Sequence, residues 1–527
     1  MQENATSKNQ NEPLEGNNKK VSAAKALISD VLDSNAILFH DQFDEAYLAE
    51  NGDGRKILKL DSEQFSKWLS RQYWIKEQQP LPRDADKQVV QTLSAFACID
   101  GPSHDLFVRL AKAKDSSKLY YDLANGSVIE TTPGGWNIVS TPEIMFRRVQ
   151  QKAQVIPEQD GAIGLLRSYV NVASEDDWLL FMVFTIAAFI PGFPHAMLVL
   201  HGPQGAGKTT PMKVIKQLVD PSALEGMMLP ENPVDFVQLA DQHAFLFFDN
   251  LSSMTVKMSD TFARAITGDT LSRRKLYSDN TAIVYKIQNP LAVNGINQVI
   301  VKPDLLERSI LIELERITPA TRIPEDEFWE AFEHDKPSLL GAIFDVLARA
   351  MAIYPSVSSE GLPRMADFSR WGCAISEAAG YTQQDFLDAY NANIDRQNDE
   401  AIDASPVAKA VIRLLEESDD GFWQGSPETL FTTLNSRADT INSRGNKYWP
   451  RSPEIVTKRL KDIQVNLQAI GIRLEVGRNG HGRFIILEQA EKATELDEPT
   501  EQTPDEPQQH LSVDGDENVS MSATSQV

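Results

Sequence analysis

Apolar runs of strand length alternate with helical patterns through the middle of the chain. Met197–Leu200 is one such run, and it leads through a glycine-rich turn into a helix. Further apolar runs stand at Ala244–Phe248, Pro290–Val293 and Ile310–Leu314. The apolar face of the helix after the turn consists of Met212, Val214, Ile215 and Leu218. Strands that alternate with helices predict an α/β core built on a parallel sheet.

The stretch before this core shows short strand and helix signals. Two apolar pieces, Ala36–His40 and Ala46–Leu48, flank a polar turn and predict a hairpin. Trp68, Tyr73 and Trp74 stand near helical spacing and could stack on bases, although aromatics in this pattern are more often core residues. The pattern predicts a small α+β domain whose role stays unassigned.

The stretch after the core is helical and then mixed. Lid helices are expected from Glu325 to Ile353, and a further helical bundle follows. Helices predicted from Ser405, from Ser426 and over Ser452–Leu467 precede two strands, which describes a winged helix. The predicted organisation is a disordered tail (1–20), an N-terminal α+β domain (21–150), the α/β core (158–354), a helical bundle (355–404), a winged helix (405–487) and an acidic disordered tail (488–527).

Charge and composition narrow the class of protein. The formal net charge is −24, which argues against a protein that coats nucleic acid with its whole surface. The two cysteines, Cys98 and Cys373, have no partner at metal-ligand spacing, which indicates a reducing compartment. The most apolar segment, Trp178–Ile190, is too short to span a bilayer. We therefore expect a soluble, cytoplasmic protein without a membrane partner.

The turn after Met197–Leu200 matches the pattern G-x-x-x-x-G-K-[ST], which binds phosphates. Its glycines allow backbone N–H groups to curl around the phosphates, and the next helix adds its positive N-terminal dipole. Lys208 would reach the outer phosphates of ATP, and the Thr209 hydroxyl would ligate Mg²⁺. The expected nucleotide-binding residues are Gly202, Gly205, Gly207, Lys208, Thr209 and Thr210.

Four later residues complete the predicted nucleotide site. Asp249 ends an apolar strand and is expected to hold the Mg²⁺ water shell together with Thr209. Asn250 stands where many such ATPases carry a glutamate, and an amide cannot take a proton from water, so the water-activating group stays open. Asn294 fits a sensor of the γ-phosphate at a strand end. Arg308 fits an arginine finger, although an ion pair with Glu307 is the ordinary alternative.

Basic residues gather in two places of this acidic chain. Arg273, Arg274 and Lys275 precede a predicted turn, and such a hairpin could follow a phosphate backbone or be a solvated loop. Basic residues also outnumber acidic ones from Arg444 to Arg483, which favours DNA binding by the winged helix over a protein contact. The expected DNA-binding residues there are Lys458, Arg459, Arg478 and Arg483.

The succession of motifs resembles the AAA+ ATPases of phages, plasmids and integrated elements, which are similar to superfamily 3 replicative helicases. The motifs are G-P-Q-G-A-G-K-T, F-L-F-F-D-N, T-G-D-x-x-x-R-R-K-L-Y-S-D, V-N-G-I and D-L-L-E-R-S. The resemblance implies a homo-oligomeric ring, expected to be a hexamer, with ATP between subunits. It also implies single-stranded or forked DNA as substrate and a primase or replication protein as partner.

The resulting hypothesis is an ATP-dependent DNA motor, a helicase-like replication protein of a mobile element. The alternative is a nucleotide-gated DNA-binding switch, a regulator or antiviral ATPase, that assembles without unwinding DNA. A third interpretation is a remodeller of protein partners, whose ATPase activity would be indifferent to DNA. Stimulation of hydrolysis by single-stranded DNA and opening of a forked duplex separate the motor from the other two.

Overall fold

The computed structural model of the chain describes residues 22–50, 56–114, 117–251, 254–268, 270–274, 282–295, 302–437, 449–480 and 482–489. Both predicted tails, apart from residues 488 and 489, lie outside these residues, as does Lys275. The described residues form a mixed α/β structure around a parallel sheet.

The N-terminal part contains helices and two antiparallel sheets. The predicted hairpin is confirmed, because β1 and β2 pair with Ile37 opposite Ala49 and His40 opposite Ala46. Trp68 and Tyr73 pack against the core of this part, whereas Trp74 is half exposed. Its elements are α1 (Ala23–Asp33), β1 (Ile37–His40), β2 (Ala46–Ala49), β3 (Ile57–Lys59), α2 (Glu63–Glu77), α3 (Arg83–Ala95), β4 (Leu106–Phe107), β5 (Leu110–Lys112), β6 (Leu119–Asp122), β7 (Val128–Thr132), β8 (Gly135–Val139) and β9 (Met145–Phe146).

A four-stranded parallel sheet with the order β11-β14-β10-β15 forms the centre of the molecule. The helix before it, α4, is buried, and Ser174 caps it by accepting the N–H of Asp177 at 3.1 Å. The elements are α4 (Glu175–Ala187), β10 (Met197–His201), α5 (Thr209–Val219), α6 (Pro233–Gln242), β11 (Leu246–Leu251), α7 (Val256–Thr267), β12 (Thr270–Arg274), β13 (Ala282–Lys286), β14 (Leu291–Gly295), α8 (Pro303–Leu306) and β15 (Ser309–Glu313).

Three helices follow, and the last of them packs on the edge of the central sheet. Their apolar side chains share one buried cluster with the sheet and with Tyr121 and Trp136 of the N-terminal sheet. Helix α11 lies along β15, the edge strand. The bounds are α9 (Glu325–Ile353), α10 (Ala366–Ala378) and α11 (Gln383–Ala404).

The C-terminal part has its own apolar core of helices and an antiparallel sheet. The predicted helix over Ser452–Leu467 is interrupted, because Ile463 has φ −112° and ψ 11° and separates two helices. A strand that was not predicted, β16, pairs with β18. The elements are α12 (Pro406–Glu416), β16 (Phe422–Gly425), α13 (Pro427–Arg437), α14 (Pro453–Asp462), α15 (Gln464–Ala469), β17 (Ile472–Asn479) and β18 (Gly482–Gln489).

Within the described part of the chain, the segment Glu325–Ser356 is a helix long and apolar enough to cross a membrane. Its apolar stretch is 61% buried inside the protein, and its buried side chains include the charged Lys336. A core helix passes the same test of length and composition, so this segment is weak support for a membrane span.

Candidate functional site

The loop between β10 and α5 has the backbone that its glycines predict. The three glycines of the loop have positive φ angles: 143° at Gly202, 85° at Gly205 and 67° at Gly207. Residues with a side chain rarely adopt this backbone conformation. A Cβ atom at Gly202 would also lie 2.5 Å from the carbonyl oxygen of Leu314. Both the dihedral angle and the close approach therefore require glycine at this position.

Lys208 and Thr209 lie at the mouth of this loop. The Lys208 Nζ donates to the carbonyl oxygens of Gly202 at 2.9 Å and Pro203 at 3.1 Å, so the ammonium group closes over the loop. The Thr209 hydroxyl donates to Oδ1 of Asp249 at 2.9 Å. The structure thus brings together the hydroxyl and the carboxylate that the sequence assigned to one Mg²⁺. Thr210 is the second residue of α5, and its N–H donates to the carbonyl of Gly207 at 3.1 Å.

Asn294 lies beside Asp249, because β14 is between β11 and β10 in the sheet. Its Oδ1 accepts the N–H of Asn250 at 2.6 Å, where the pairing of β11 with β14 shifts register. Asn250 has φ 55° and an exposed side chain. The Nδ2 of Asn294 is buried and has no hydrogen-bond partner among the described residues. This edge therefore offers a carboxylate, a hydroxyl, an ammonium group and a free amide donor.

Two residues that were not predicted from the sequence, Asn171 and Ile317, donate hydrogen bonds to the backbone of the glycine-rich loop. Asn171 precedes α4, and its Nδ2 donates to the carbonyl of Ala206 at 3.2 Å and to that of Glu315. The N–H of Ile317 donates to the carbonyl of Gly205 at 3.2 Å. The segment that follows β15 is therefore tied directly to the glycine-rich loop.

Arg308 lies at the opposite end of the sheet from this loop. It directly precedes β15, whose Ser309 pairs with Met197 at the start of β10 and whose Glu313 pairs with His201 at its end. Four residue steps along a strand span about 13 Å, so a whole strand separates Arg308 from the loop of its own chain. Arg308 is thus not brought together with Lys208 within one chain.

Arg308 belongs to an ion-pair group at that end of the sheet. Its Nη2 donates to Oδ1 of Asp304 at 3.0 Å, and so does Nη2 of Arg364 at 2.7 Å. Arg364 also pairs with Glu307. Partial burial opposes ionisation of Asp304, but the two arginines outweigh it and hold the pKa of this carboxyl below its ordinary value. The expected ordinary partner, Glu307, is thus taken by Arg364.

The second strand of the predicted basic hairpin is confirmed as β13, which pairs with β12. Strands β12 and β13 are antiparallel, with Thr270 opposite Lys286 and Arg274 opposite Ala282. The predicted first strand, at Lys275–Tyr277, lies outside the described residues. Arg273 and Arg274 are the last two residues of β12.

The basic residues of the C-terminal part occupy α14 and the β17–β18 hairpin. Lys458 is exposed and Arg459 is partly buried on α14. Arg478 and Arg483 are exposed and lie directly opposite each other near the tip of the hairpin. Like charges at opposed positions destabilise a sheet, so this tip is suited to an anion that neutralises both.

Arg147 and Arg148, by contrast, are structural. Arg147 pairs with Asp241, and Arg148 donates two hydrogen bonds to the carboxylate of Asp122 at 2.7 and 2.8 Å. Both guanidinium groups are therefore bound by carboxylates of the protein itself.

The comparisons with known proteins identify a family. A family model described as "Actinomycete integrative conjugative element replication protein" matches residues 163–400. A second, described as "AICE RepA C-terminal domain", matches residues 407–503. Together the two matches span more than half of the chain. No curated protein matches it.

Two solved structures show distant similarity of shape. The C-terminal region of NrS-1, residues 305–718, is 11% identical with a TM-score of 0.40, and the match covers 90% of this chain and 100% of that chain. A full-length MCM homolog from Methanopyrus kandleri is 11% identical with a TM-score of 0.29, and the match covers 63% and 88%.

Proposed function

Because the chain belongs to the replication-protein family of actinomycete integrative conjugative elements, we propose that it is an ATP-hydrolysing motor that acts on DNA in the cytoplasm. The proposed catalytic part is an AAA+ type P-loop core, and the proposed DNA-binding part is a C-terminal winged helix. The observation that carries the proposal is the shared sheet edge where Lys208, Thr209, Asp249 and Asn294 meet.

The residues at this edge fit Mg²⁺ and ATP. The positive φ angles of the three glycines turn the loop around a space suited to phosphates. The Thr209 hydroxyl and the Asp249 carboxylate are oxygen groups of the kind that Mg²⁺ accepts directly or through water. The free Nδ2 of Asn294 is a donor that can recognise the terminal phosphate. When bound, Mg²⁺–ATP supplies the phosphoryl group that is transferred to water.

The position of Arg308 supports a homo-oligomeric ring. An arginine finger stabilises the charge that develops on the transferred phosphoryl group, and Arg308 is one strand length from the loop of its own chain. A neighbouring subunit in a closed ring can present the same arginine to that loop. In this proposal, expected to apply to a hexamer, Arg308 acts on the nucleotide of the adjacent subunit.

Two basic elements support contact with single-stranded or forked DNA. Arg273 and Arg274 end a strand of the β12–β13 hairpin, and Arg478 faces Arg483 in the C-terminal hairpin. Lysine and arginine side chains bind DNA mainly by neutralising phosphates. The hairpin would follow the strand in the ring, while Lys458, Arg459 and the C-terminal hairpin would hold the duplex. A primase or other replication protein is the proposed partner.

One observation favours the alternative, a nucleotide-gated DNA-binding switch. Asn250 is exposed beside Asp249, where many related ATPases carry a second acid. An amide orients water but does not remove its proton. A protein with this site could bind ATP, assemble and release DNA with little turnover.

Strand displacement on a forked duplex, with and without ATP, tests the motor proposal. The wild-type protein should displace the strand only with ATP, and single-stranded DNA should stimulate hydrolysis. Assembly with ATP but neither activity would establish the switch instead.

The variant Lys208→Ala should lose ATP binding or lower turnover by about a hundredfold or more, because its ammonium group supplies charge stabilisation at the phosphates. Lys213→Ala, on the same helix, is the matched control and should retain wild-type ATPase activity. Full activity of Lys208→Ala would contradict the assignment of the site.

A further inference from the structure

Helix α11 covers the outer edge of β15 with two buried amide side chains. Asn393 donates from Nδ2 to the carbonyl of Leu311 at 2.6 Å, and its Oδ1 accepts the N–H of the same residue at 3.0 Å. Gln397 donates to the carbonyl of Ser309 at 2.6 Å and to Oδ1 of Asn393 at 3.0 Å. The backbone N–H and C=O groups on the open side of an edge strand need to be covered. Here side chains of α11 bind these groups, as the backbone of a further strand would.

The same helix holds the C-terminal part of the chain. Asn398, next to Gln397, accepts a hydrogen bond at Oδ1 from Nδ2 of Asn466 on α15 at 2.9 Å, and both side chains are buried. One turn further along, Ile402 belongs to the apolar core of the C-terminal part. The residues of α11 that bind β15 and those that contact the C-terminal part are therefore adjacent on one helix.

Strand β15 in turn has the proposed arginine finger at one end and the glycine-rich loop of its own chain at the other. Arg308 directly precedes Ser309, the residue that Gln397 holds. Beyond the other end of the strand, the N–H of Leu314 donates to the carbonyl of His201 at 2.9 Å, and the N–H of Ile317 donates to the carbonyl of Gly205 at 3.2 Å. A shift of β15 along its axis would move the arginine and the glycine-rich loop together.

We infer that Asn393 and Gln397 are positioning residues that couple DNA binding by the C-terminal part to nucleotide binding in the P-loop core. The inference rests on the proposed function and adds the path by which one site regulates the other. Asn393 pairs with both backbone groups of Leu311, so α11 cannot slide without moving β15 or breaking both bonds. The buried amide of Asn393 is hydrogen-bonded through both its oxygen and its nitrogen. An amide held in this way has few alternative arrangements, which suits it to transmit a displacement.

Reciprocity of binding provides the test. If DNA and nucleotide are coupled, each changes the affinity for the other by the same factor, typically about fivefold or more. We would measure the affinity of the full chain for a fluorescent single-stranded oligonucleotide by anisotropy, with and without Mg²⁺ and a non-hydrolysable ATP analogue. The affinity for the analogue would be measured separately. The wild-type protein should show a change of about fivefold or more in DNA affinity when the analogue is added.

The variant Asn393→Leu keeps the branched shape of the side chain but removes both bonds to Leu311 and the acceptor for Gln397. In this variant, the analogue should change the DNA affinity by less than about twofold. The separate affinities for DNA and for the analogue should each stay within about threefold of wild type. Asn391→Leu, on the exposed side of the same helix, should keep the full coupling. Gln397→Leu removes the bond to Ser309 and replaces Asn393→Leu if thermal melting shows that the latter does not fold.

Each outcome decides the matter. Full coupling in the folded Asn393→Leu or Gln397→Leu variant overturns the inference, and so does a wild-type protein that binds both ligands without coupling. Failure of the wild-type protein to bind the analogue at all would instead overturn the proposed function, and the inference would fall with it.

Discussion

His195 is a buried, neutral histidine close to the start of β10. Burial lowers the pKa of His195 from 6.5 to about 4, although hydrogen bonds to backbone groups oppose this. Its Nε2 lies 3.0 Å from the carbonyl oxygen of Ala187, and because a carbonyl only accepts, Nε2 carries the proton. The unfolded chain binds a proton at this ring below pH 6.5, whereas the folded chain does so only near pH 4. Its contribution to stability is complete above 6.5 and is lost as the pH falls towards 4.

We expect the wild-type protein to lose about 2 kcal/mol more unfolding free energy than His195→Gln between pH 7 and pH 5. Chemical denaturation of both proteins at the two pH values measures the difference. His334→Gln is the control. Because Asp335 raises the pKa of the exposed His334, this histidine causes no loss of unfolding free energy as the pH falls. Parallel pH curves for His195→Gln and wild type would show that the ring is not held neutral.

The residues of the proposed nucleotide site could be located in the sequence because each depends on a local pattern. The glycine spacing, the strand before Asp249 and the amide after Val293 are all visible in the sequence. Asn171, Asn393 and Gln397 could not be found in this way. Each bonds backbone atoms far away in the chain, and an asparagine that contacts a distant carbonyl has no local signature.

At the scale of elements, the β12–β13 hairpin is the part of the proposed motor that can be tested most directly. If Arg273 and Arg274 contact phosphates, the double variant Arg273→Ala with Arg274→Ala should keep the DNA-independent ATPase rate and lose its stimulation by DNA. The slope of log affinity for DNA against log salt concentration should also become shallower by about 2, because each missing arginine leaves one phosphate without its neutralising charge.

An exposed arginine outside the hairpin supplies the control for this experiment. Arg322→Ala removes the same charge from the loop before α9 and should leave both stimulation and salt slope unchanged. If the hairpin variant behaves like Arg322→Ala in a DNA-stimulated assay, the hairpin does not contact DNA.

Element types were easier to predict than element ends. The apolar alternation predicted the central strands because buried parallel strands are continuous apolar runs. The break at Ile463 was missed, since Ser452–Leu467 has an uninterrupted helical pattern and only packing decides where it bends. Strand β16 was missed because Phe422–Gly425 is short and its pairing partner, β18, is some sixty residues away.

At the scale of the whole molecule, the N-terminal part is bound firmly to the part that contains the central parallel sheet. Arg109 has no exposed surface and φ 61°, and it donates to the carbonyls of Asp122 at 2.7 Å and Pro221 at 2.8 Å. Its Nε lies 3.5 Å from Asp220, which also accepts from Lys216 at 2.8 Å at the end of α5. Burial opposes ionisation of Asp220, but Lys216, His243 and Arg109 hold its pKa below the ordinary range.

This buried charge group joins the N-terminal β5–β8 sheet to α5, the helix that begins at the proposed nucleotide site. The predicted boundary between residues 150 and 158 stays a prediction, but side chains before and after it share one apolar cluster. The sequence pattern could not reveal this, because a buried arginine and a surface arginine look alike in the sequence. The N-terminal part is thus placed to move with α5 rather than independently.

If the proposed ring assembles, Arg308 acts between subunits, and mixtures of two inactive variants test this. Lys208→Ala and Arg308→Ala should each be inactive alone, since one lacks the phosphate-binding lysine and the other the finger. When the two are mixed before nucleotide is added, sites between an intact loop and an intact finger reappear, and about a quarter of wild-type ATPase activity should return. Lys208→Ala mixed with Asp249→Ala should stay inactive, because both residues belong to the same subunit's site. If both mixtures lack ATPase activity although each variant assembles with the wild-type protein, Arg308 does not act in the neighbouring site.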